Sequence, residues 1–219
     1  VDEIGMQMPK SRYLAMDKYF SQIATAQPMG RHMMRQTCSV QVCLDFGSDA
    51  ETLSKRFFAA QLLAPFAAAI FANSPYIDRQ QTAYKSFRNV IWQHLDLTRT
   101  GFCDLGLLHT AVHKQQPHKV VEAYLEFALE AGVVSIEALN YHVPESPLTF
   151  RQWMQHGYRD VFPTLRDFVS HLSLLFPEVR PRGFMELRSI DGQPKALQAV
   201  PAAFYAGLLY AQRNLDTVL

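Results

Sequence analysis

Apolar positions along the chain follow two periods in alternation, and each predicts an element. Over residues 10–24, Tyr13, Met16, Phe20 and Ile23 fall at helical spacing, which predicts a helix. Residues 34–46 switch to a period of two. Val40, Val42, Leu44 and Phe46 take one face; Thr37, Ser39, Gln41, Cys43 and Asp45 take the other. A long strand with one apolar and one polar face predicts an antiparallel sheet, backed by helices on one side and facing water or a ligand on the other. Ser48-Asp49-Ala50-Glu51 has the form of a capping box, with Ser at the cap, and predicts a helix to about residue 72. Leu53, Phe57, Ala60, Ala64, Ala68 and Phe71 form its apolar stripe, and Pro65 inside it predicts a kink or a split.

The middle of the chain is less regular. Residues 84–95 read as helix, Thr100-Gly101 as a turn into a strand, and residues 118–131 as a helix ended by Gly132. Residues 133–138 read as a short strand, and Pro144 and Pro147 mark a loop. Thr164-Leu165-Arg166-Asp167 opens a helix carrying Leu165, Phe168, Val169, Leu172, Leu175 and Phe176, and Pro177 stops it. Residues 182–190 read as a strand and 196–213 as a last helix, with Pro201 near its first turn. No linker divides the chain, so residues 1–219 are expected to form a single domain.

Composition narrows the class. Of 219 residues, 48% are hydrophobic and 19% charged, which is enough apolar material for a globular core. A formal charge of +1, from 21 basic and 20 acidic residues, advertises neither a nucleic-acid nor a membrane surface, and no apolar run reaches membrane length. Val1-Asp2-Glu3-Ile4-Gly5 has neither the basic nor the apolar region of a signal peptide, and a start without Met points to a processed or excised piece. Three cysteines, Cys38, Cys43 and Cys103, argue against a disulfide-stapled fold; the first two fall in one strand facing opposite ways, and all three read as small buried side chains. His109 and His113 have zinc-helix spacing, but Thr110 stands where a metalloprotease has Glu and no third ligand is apparent, so the pair reads as coincidence.

The most informative stretch runs from Phe176 to Asp191. On a strand, Arg182, Phe184, Glu186 and Arg188 share one face, and Met185, Leu187 and Ser189 the other. Alternating Arg and Glu suits a face that meets a charged ligand, Glu offering hard oxygens and Arg a planar fork; it equally suits a solvated strand with cross-strand ion pairs. A second cluster holds Arg88, Arg99 and Trp92. It reads either as a clamp for a small acid or as surface arginines around a core tryptophan. Gln41, with Arg35 and Ser39, lies on the polar face of the first strand and can donate to and accept from an amino acid, or simply face solvent. His171 reads as a hydrogen-bonded packing histidine rather than a base. No nucleophile elbow, Walker loop, dinucleotide fingerprint or C-x-x-C occurs. That weighs against kinase and dehydrogenase readings and leaves a sheet-based site for any ATP.

Several motifs resemble the type 2 glutamate–cysteine ligases of plants and proteobacteria, a family related to the ligase of ergothioneine synthesis. They are Met8-Pro-Lys-Ser-Arg-Tyr13, Met33-Met-Arg-Gln-Thr-Cys-Ser-Val-Gln-Val42 with Leu44-Asp-Phe46, and Phe71-Ala-Asn-Ser-Pro75. Ser86-Phe-Arg88, Asp96 with Arg99-Thr-Gly101, Phe176-Pro-Glu-Val-Arg180 with Met185-Glu-Leu-Arg188 and Asp191-Gly192, and Pro201-Ala-Ala-Phe204 with Gly207-Leu-Leu-Tyr210 complete the set, in family order.

The resemblance implies an α+β chain with a glutamine-synthetase-like catalytic fold: a curved, mainly antiparallel sheet with helices on one face, incomplete here. It implies ATP-dependent ligation of the glutamate γ-carboxylate to the cysteine amine through an acyl phosphate, the first step of glutathione synthesis. ATP and Mg²⁺ are the implied cofactors, and glutamate and cysteine the small-molecule partners. By position, Glu186 resembles a metal ligand, Arg188 a catalytic residue, Arg182 and Arg188 phosphate-binding residues, and Arg88, Arg99, Gln41 and Trp92 substrate-binding residues. Two departures stand out. Cys43 occupies a position where the family usually has Asn, and the family's N-terminal third, with its carboxylate-rich strand, has no counterpart here. The expectation is therefore a fragment inactive alone. A non-catalytic relative binding glutamate or a partner, and a ligase with another amine acceptor, stay open, as do a homodimer and an additional N-terminal segment. The expected location is the cytoplasm, or the plastid if the source is a plant.

Overall fold

The computed structural model describes residues 4–23 and 26–219 and shows a mixed helix-and-sheet chain with small antiparallel sheets, an α+β arrangement. Its backbone clusters into two compact units, each assembled from three stretches of chain.

The first unit comprises the described part of Val1–Thr37 with Val90–Gly101 and Leu125–Phe176. The helix Ser11–Gln22 buries Ala15, Met16 and Phe20, the face that its apolar spacing predicts. A core of Leu129, Val133, Ile136, Phe150 and Trp153 is flanked by Leu139, Leu148, Tyr158, Val161 and Phe168. Trp153 closes its one polar atom by donating from Nε1 to the Val161 carbonyl at 2.8 Å. Capping boxes start the helices Phe150–His156, at Thr149 and Gln152, and Leu165–Leu172, at Thr164 and Asp167.

The second unit comprises Cys38–Asn89, Phe102–Tyr124 and Pro177–Leu219. Its strands are β1 (Ser39–Leu44), β2 (Tyr76–Ile77), β3 (Gln80–Gln81), β4 (Val179–Pro181) and β5 (Met185–Asp191). The main sheet has the order β1-β5-β4, antiparallel throughout, with a register shift in β1 between Val40 and Val42. Helix Ala50–Ile70 packs on β5 and buries Phe57, Phe58, Ala60, Leu63, Ala64 and Ala67.

Several boundaries differ from the sequence expectation, each for an identifiable reason. Residues 34–36 end the helix Met29–Gln36 rather than starting a strand; Thr37 turns extended, and β1 begins at Ser39. Asp49, not Ser48, caps the long helix, because its backbone is extended and its carboxylate accepts from the Thr52 amide at 2.8 Å. Pro65 sits inside that helix without splitting it; it is solvent-exposed, and the alanines around it are good helix formers. Where a strand was expected after Gly101 the chain forms the helix Leu105–His113, capped by Asp104, and before Gly101 it forms the helical turn Leu97–Thr100, capped by Asp96. Residues 133–138 form only an isolated bridge, Ile136 with His142, and a short 3₁₀ turn at Glu137–Leu139. The last helix is two, Val200–Leu209 and Gln212–Val218, because Ala211 turns extended between them. Most consequentially, the strand expected over 182–190 begins only at Met185, as β5, and residues 182–184 form the turn of a hairpin with β4. Gly183, at φ +79°, makes the turn between β4 and β5, a conformation that costs glycine little. Arg182 and Phe184 lie at its tip.

Candidate active site

Strand β5 alternates as its sequence predicts, but every one of its residues is buried. The antiparallel register sets Arg180 of β4 opposite Glu186 on one side and Cys43 of β1 opposite it on the other. Glu186 is 3% exposed and its carboxylate is crowded with donors. Arg180 forks onto both oxygens, Nε to Oε2 and Nη2 to Oε1, each at 2.9 Å. Arg188, two residues along the same face, donates from Nη1 to Oε1 at 2.8 Å. Gln41, with its amide turned to satisfy both neighbours, donates to Glu186 Oε1 at 2.7 Å and accepts from Arg188 Nη1 at 3.0 Å. At the hairpin tip, the mostly exposed Arg182 lies 3.9 Å from Oε2. Three guanidiniums thus gather around Glu186, and the face reaches solvent along β1, where Gln41 and Cys43 are exposed. Burial, with Arg180 close by, pulls the Arg188 guanidinium down to about 10 against the pull of Glu186, so it stays charged at neutral pH. Burial and then Glu186 push the Cys43 thiol up.

Arg88 belongs to the same unit but lies behind this face. Its Nη2 donates to the main-chain carbonyl of Arg188 at 2.8 Å and its Nη1 sits 3.8 Å from Asp191 Oδ1. Arg99 and Trp92 belong to the other unit. Arg99 is fully buried; it donates from Nη1 to the Leu174 carbonyl at 2.7 Å, from Nη2 to the Gly132 carbonyl, and from Nε to Asp96 at 3.2 Å. Asp96 also accepts from the Tyr19 hydroxyl at 2.6 Å. Burial alone would raise the Asp96 carboxyl, but Arg99, Tyr19 and Thr98 together hold it below its ordinary value. Trp92 is half-buried against Phe176, with ring centroids 5.6 Å apart. The sequence-level grouping therefore resolves into two sets. Gln41, Arg182, Glu186 and Arg188 share one charged face, while Arg99 serves the interior of the first unit.

Two residues of this architecture escaped sequence reasoning. Arg180 faces Glu186 only because the chain reverses at Gly183, and Pro181-Arg182-Gly183 carried that signal as a turn. Asp191 was legible only as part of a motif, yet it accepts three hydrogen bonds and pairs with Arg88, as described below.

A Mg²⁺ ion requires about six hard oxygen donors in octahedral array. Among the described residues no group of three or more His, Cys, Asp or Glu could hold a metal, and both oxygens of Glu186 are on arginine. The donor set described here does not fit a Mg²⁺ ion. The His109–His113 pair, with ring centroids 4.2 Å apart, likewise gains no third ligand among the described residues. Cys103 is buried as expected, but Cys38 and Cys43 are exposed, because Cys38 precedes β1 and Cys43 lies on its open polar face.

His171 is the packing residue that its apolar helix implies, 5% exposed, with Nε2 2.8 Å from the Ala128 carbonyl. Burial, with Arg99 close by, lowers its pKa to about 3. Its folded value lies below the ordinary unfolded value near 6.5, so the unfolded chain takes up the proton first as pH falls. Stability is therefore full above about pH 6.5 and declines below it, by about 2 kcal/mol at pH 5. Urea unfolding at pH 7 and pH 5 measures this, and His171→Gln is expected to flatten the dependence.

Set beside known proteins, the sequence matches the family described as Glutamate-cysteine ligase family 2 over residues 3–219. The chain belongs to that family. It is 36% identical over 216 residues to the chloroplastic glutamate–cysteine ligase of Medicago truncatula, covering 97% of this chain and 40% of that protein. The chloroplastic enzymes of Nicotiana tabacum and Arabidopsis thaliana are each 35% identical over 216 residues, covering 97% of this chain and 39% of theirs. The chain thus spans about 40% of the length of these curated relatives. Their names correct the expectation of a cytoplasmic location, since each is chloroplastic. No helix among the described residues is long and apolar enough to cross a membrane.

Proposed function

We propose that this chain contributes the arginine face of an ATP-dependent ligase that joins the γ-carboxylate of glutamate to the amine of cysteine. The observation that carries this reading is the arginine cluster on the sheet: Arg180, Arg182 and Arg188 gather around Glu186. Planar guanidinium forks gathered on one strand face suit a phosphoryl or carboxylate anion. In this reading β1, β5 and β4 form part of a glutamine-synthetase-like curved sheet, and ATP binds to the sheet rather than to a phosphate loop.

The ligation has two steps. A γ-carboxylate oxygen of glutamate attacks the terminal phosphorus of ATP; the bond to ADP breaks and an acyl phosphate forms. The neutral amine of cysteine then attacks the acyl carbon, phosphate leaves, and the amine proton passes to solvent as the amide forms. Negative charge sits on the transferring phosphoryl group throughout, and Arg188 and Arg182 are placed to hold it. Gln41, at the rim, can donate to or accept from the amino-acid substrate. Glu186 orders the arginines. Mg²⁺ shields phosphate charge in reactions of this class, but the residues described here do not supply its site, and no step is assigned to it.

ADP release by the intact natural polypeptide, supplied with ATP, glutamate and cysteine, tests the proposal. Arg188→Met is expected to lower kcat/KM by roughly 10²–10³-fold, the loss typical of one preorganised charge-stabilising donor. Glutamate binding without ADP release by the wild type would replace ligation with a non-catalytic role. Unchanged kcat/KM in Arg188→Met would remove this face from the reaction.

A further inference from the structure

Arg88 carries a motif arginine, yet its guanidinium is 5% exposed and directed at protein. Its Nη2 donates to the carbonyl of Arg188 at 2.8 Å, and its Nη1 pairs with Asp191 at 3.8 Å. Asp191, 1% exposed, accepts from the Asn73 amide at 2.8 Å, the Ser74 hydroxyl at 2.7 Å and the Ser86 hydroxyl at 3.0 Å. The Ser74 hydroxyl in turn accepts from the Arg88 amide at 3.1 Å. The segment from Asn73 to Arg88 is thus tied to the last residue of β5, and the tie ends on the main chain of Arg188.

We infer that Asp191 and Arg88 are positioning residues for the anion face: Asp191 fixes the Arg88 guanidinium, which fixes the backbone from which Arg188 reaches the phosphoryl group. Neither touches substrate. The inference rests on the reading of the arginine face proposed above. A buried carboxylate that receives this many donors has little orientational freedom, and a guanidinium bonded to a β5 carbonyl sets the strand's local tilt. Lysine cannot replace Arg88, because one ammonium cannot reproduce the planar two-ended contact.

The test is calorimetric titration of inorganic tripolyphosphate into the intact polypeptide, alongside steady-state kinetics. Asp191→Asn and Arg88→Lys are each expected to weaken tripolyphosphate binding by about tenfold, the scale of losing a supporting contact behind a ligand group. The double variant is expected to bind no worse than the weaker single one, because both act through Arg188. KM for ATP rises in step, and KM for glutamate holds. If Asp191→Asn does not fold, Arg88→Lys, which keeps the charge, carries the same test. Variants that bind like the wild type, losses that multiply in the double variant, or a rise in glutamate KM alone would overturn the inference. A wild type that does not bind tripolyphosphate at all overturns the arginine-face reading itself, and the inference with it.

Discussion

Glu186→Gln is expected to destabilise the second unit by about 3–5 kcal/mol, the usual cost of removing one partner from a buried charge cluster. Arg180 and Arg188 are each 8% exposed, and both are paired with the Glu186 carboxylate. Glutamine keeps the shape, but presents an amide that donates where a guanidinium also donates. Two buried guanidiniums then lose the carboxylate they share. Urea unfolding followed by far-ultraviolet circular dichroism measures the loss. Adding Arg180→Met to Glu186→Gln is expected to recover part of it, because one of the stranded charges goes. A loss below about 1 kcal/mol, the scale of a surface ion pair, would mean that the cluster is solvated rather than buried. Glu186 is thus tied to stability as well as to the anion face, so loss of activity in this variant is not by itself a sign of metal chemistry.

Arg99→Met is expected to cost the first unit a similar amount, about 3–5 kcal/mol. Methionine fills much of the volume but none of the polarity. The carbonyls of Leu174 and Gly132 lose their guanidinium donor, and the buried Asp96 loses its counter-charge. Tyr19, whose ring lies 5.1 Å from the guanidinium and whose hydroxyl bonds Asp96, loses packing as well. With Arg99 gone, burial of Asp96 is no longer fully opposed, so its carboxyl is expected to titrate higher than in the wild type, readable by carboxyl-resolved NMR. In the wild type the sign is the ordinary one for a depressed carboxyl. Its contribution is complete above the unfolded value near 3.9 and fades as pH drops through the lower folded value. Wild-type stability in Arg99→Met would place the arginine at a ligand surface after all.

The elements with strong periodicity were the legible ones. The helices over Ser11–Gln22, Ala50–Ile70, His118–Glu130 and Leu165–Leu172 follow apolar spacing, and Asp49 and Thr164 cap the second and the last, signals written in adjacent residues. The errors cluster where one residue decides. Gly183 turns residues 182–184 out of the expected strand into a hairpin turn, and Asp104 caps a helix where a strand was expected after Gly101. The polar face of β5 was readable from Glu186 and Arg188 alone, because strand alternation fixes their common side. What the face does was not. Arg180 reaches it only through the antiparallel register, and the partition of Arg88 and Arg99 into different units is a long-range packing outcome that no local spacing encodes. The two arginines look alike in sequence, each following a Ser or Thr within a short motif. Both are buried, and their partners separate their work: one donates to a β5 carbonyl, the other to carbonyls of the first unit.

The most direct measurement of the proposed ligation follows oxygen rather than rate. Glutamate labelled with ¹⁸O in its γ-carboxylate would be turned over with ATP and cysteine by the intact polypeptide, and the released phosphate analysed by mass. Attack of a carboxylate oxygen on ATP, followed by expulsion of phosphate, carries one labelled oxygen from glutamate into phosphate. That transfer, one ¹⁸O per amide formed, is the expected result. Unlabelled phosphate released alongside the amide would rule out the acyl phosphate and, with it, the role given to the arginine face.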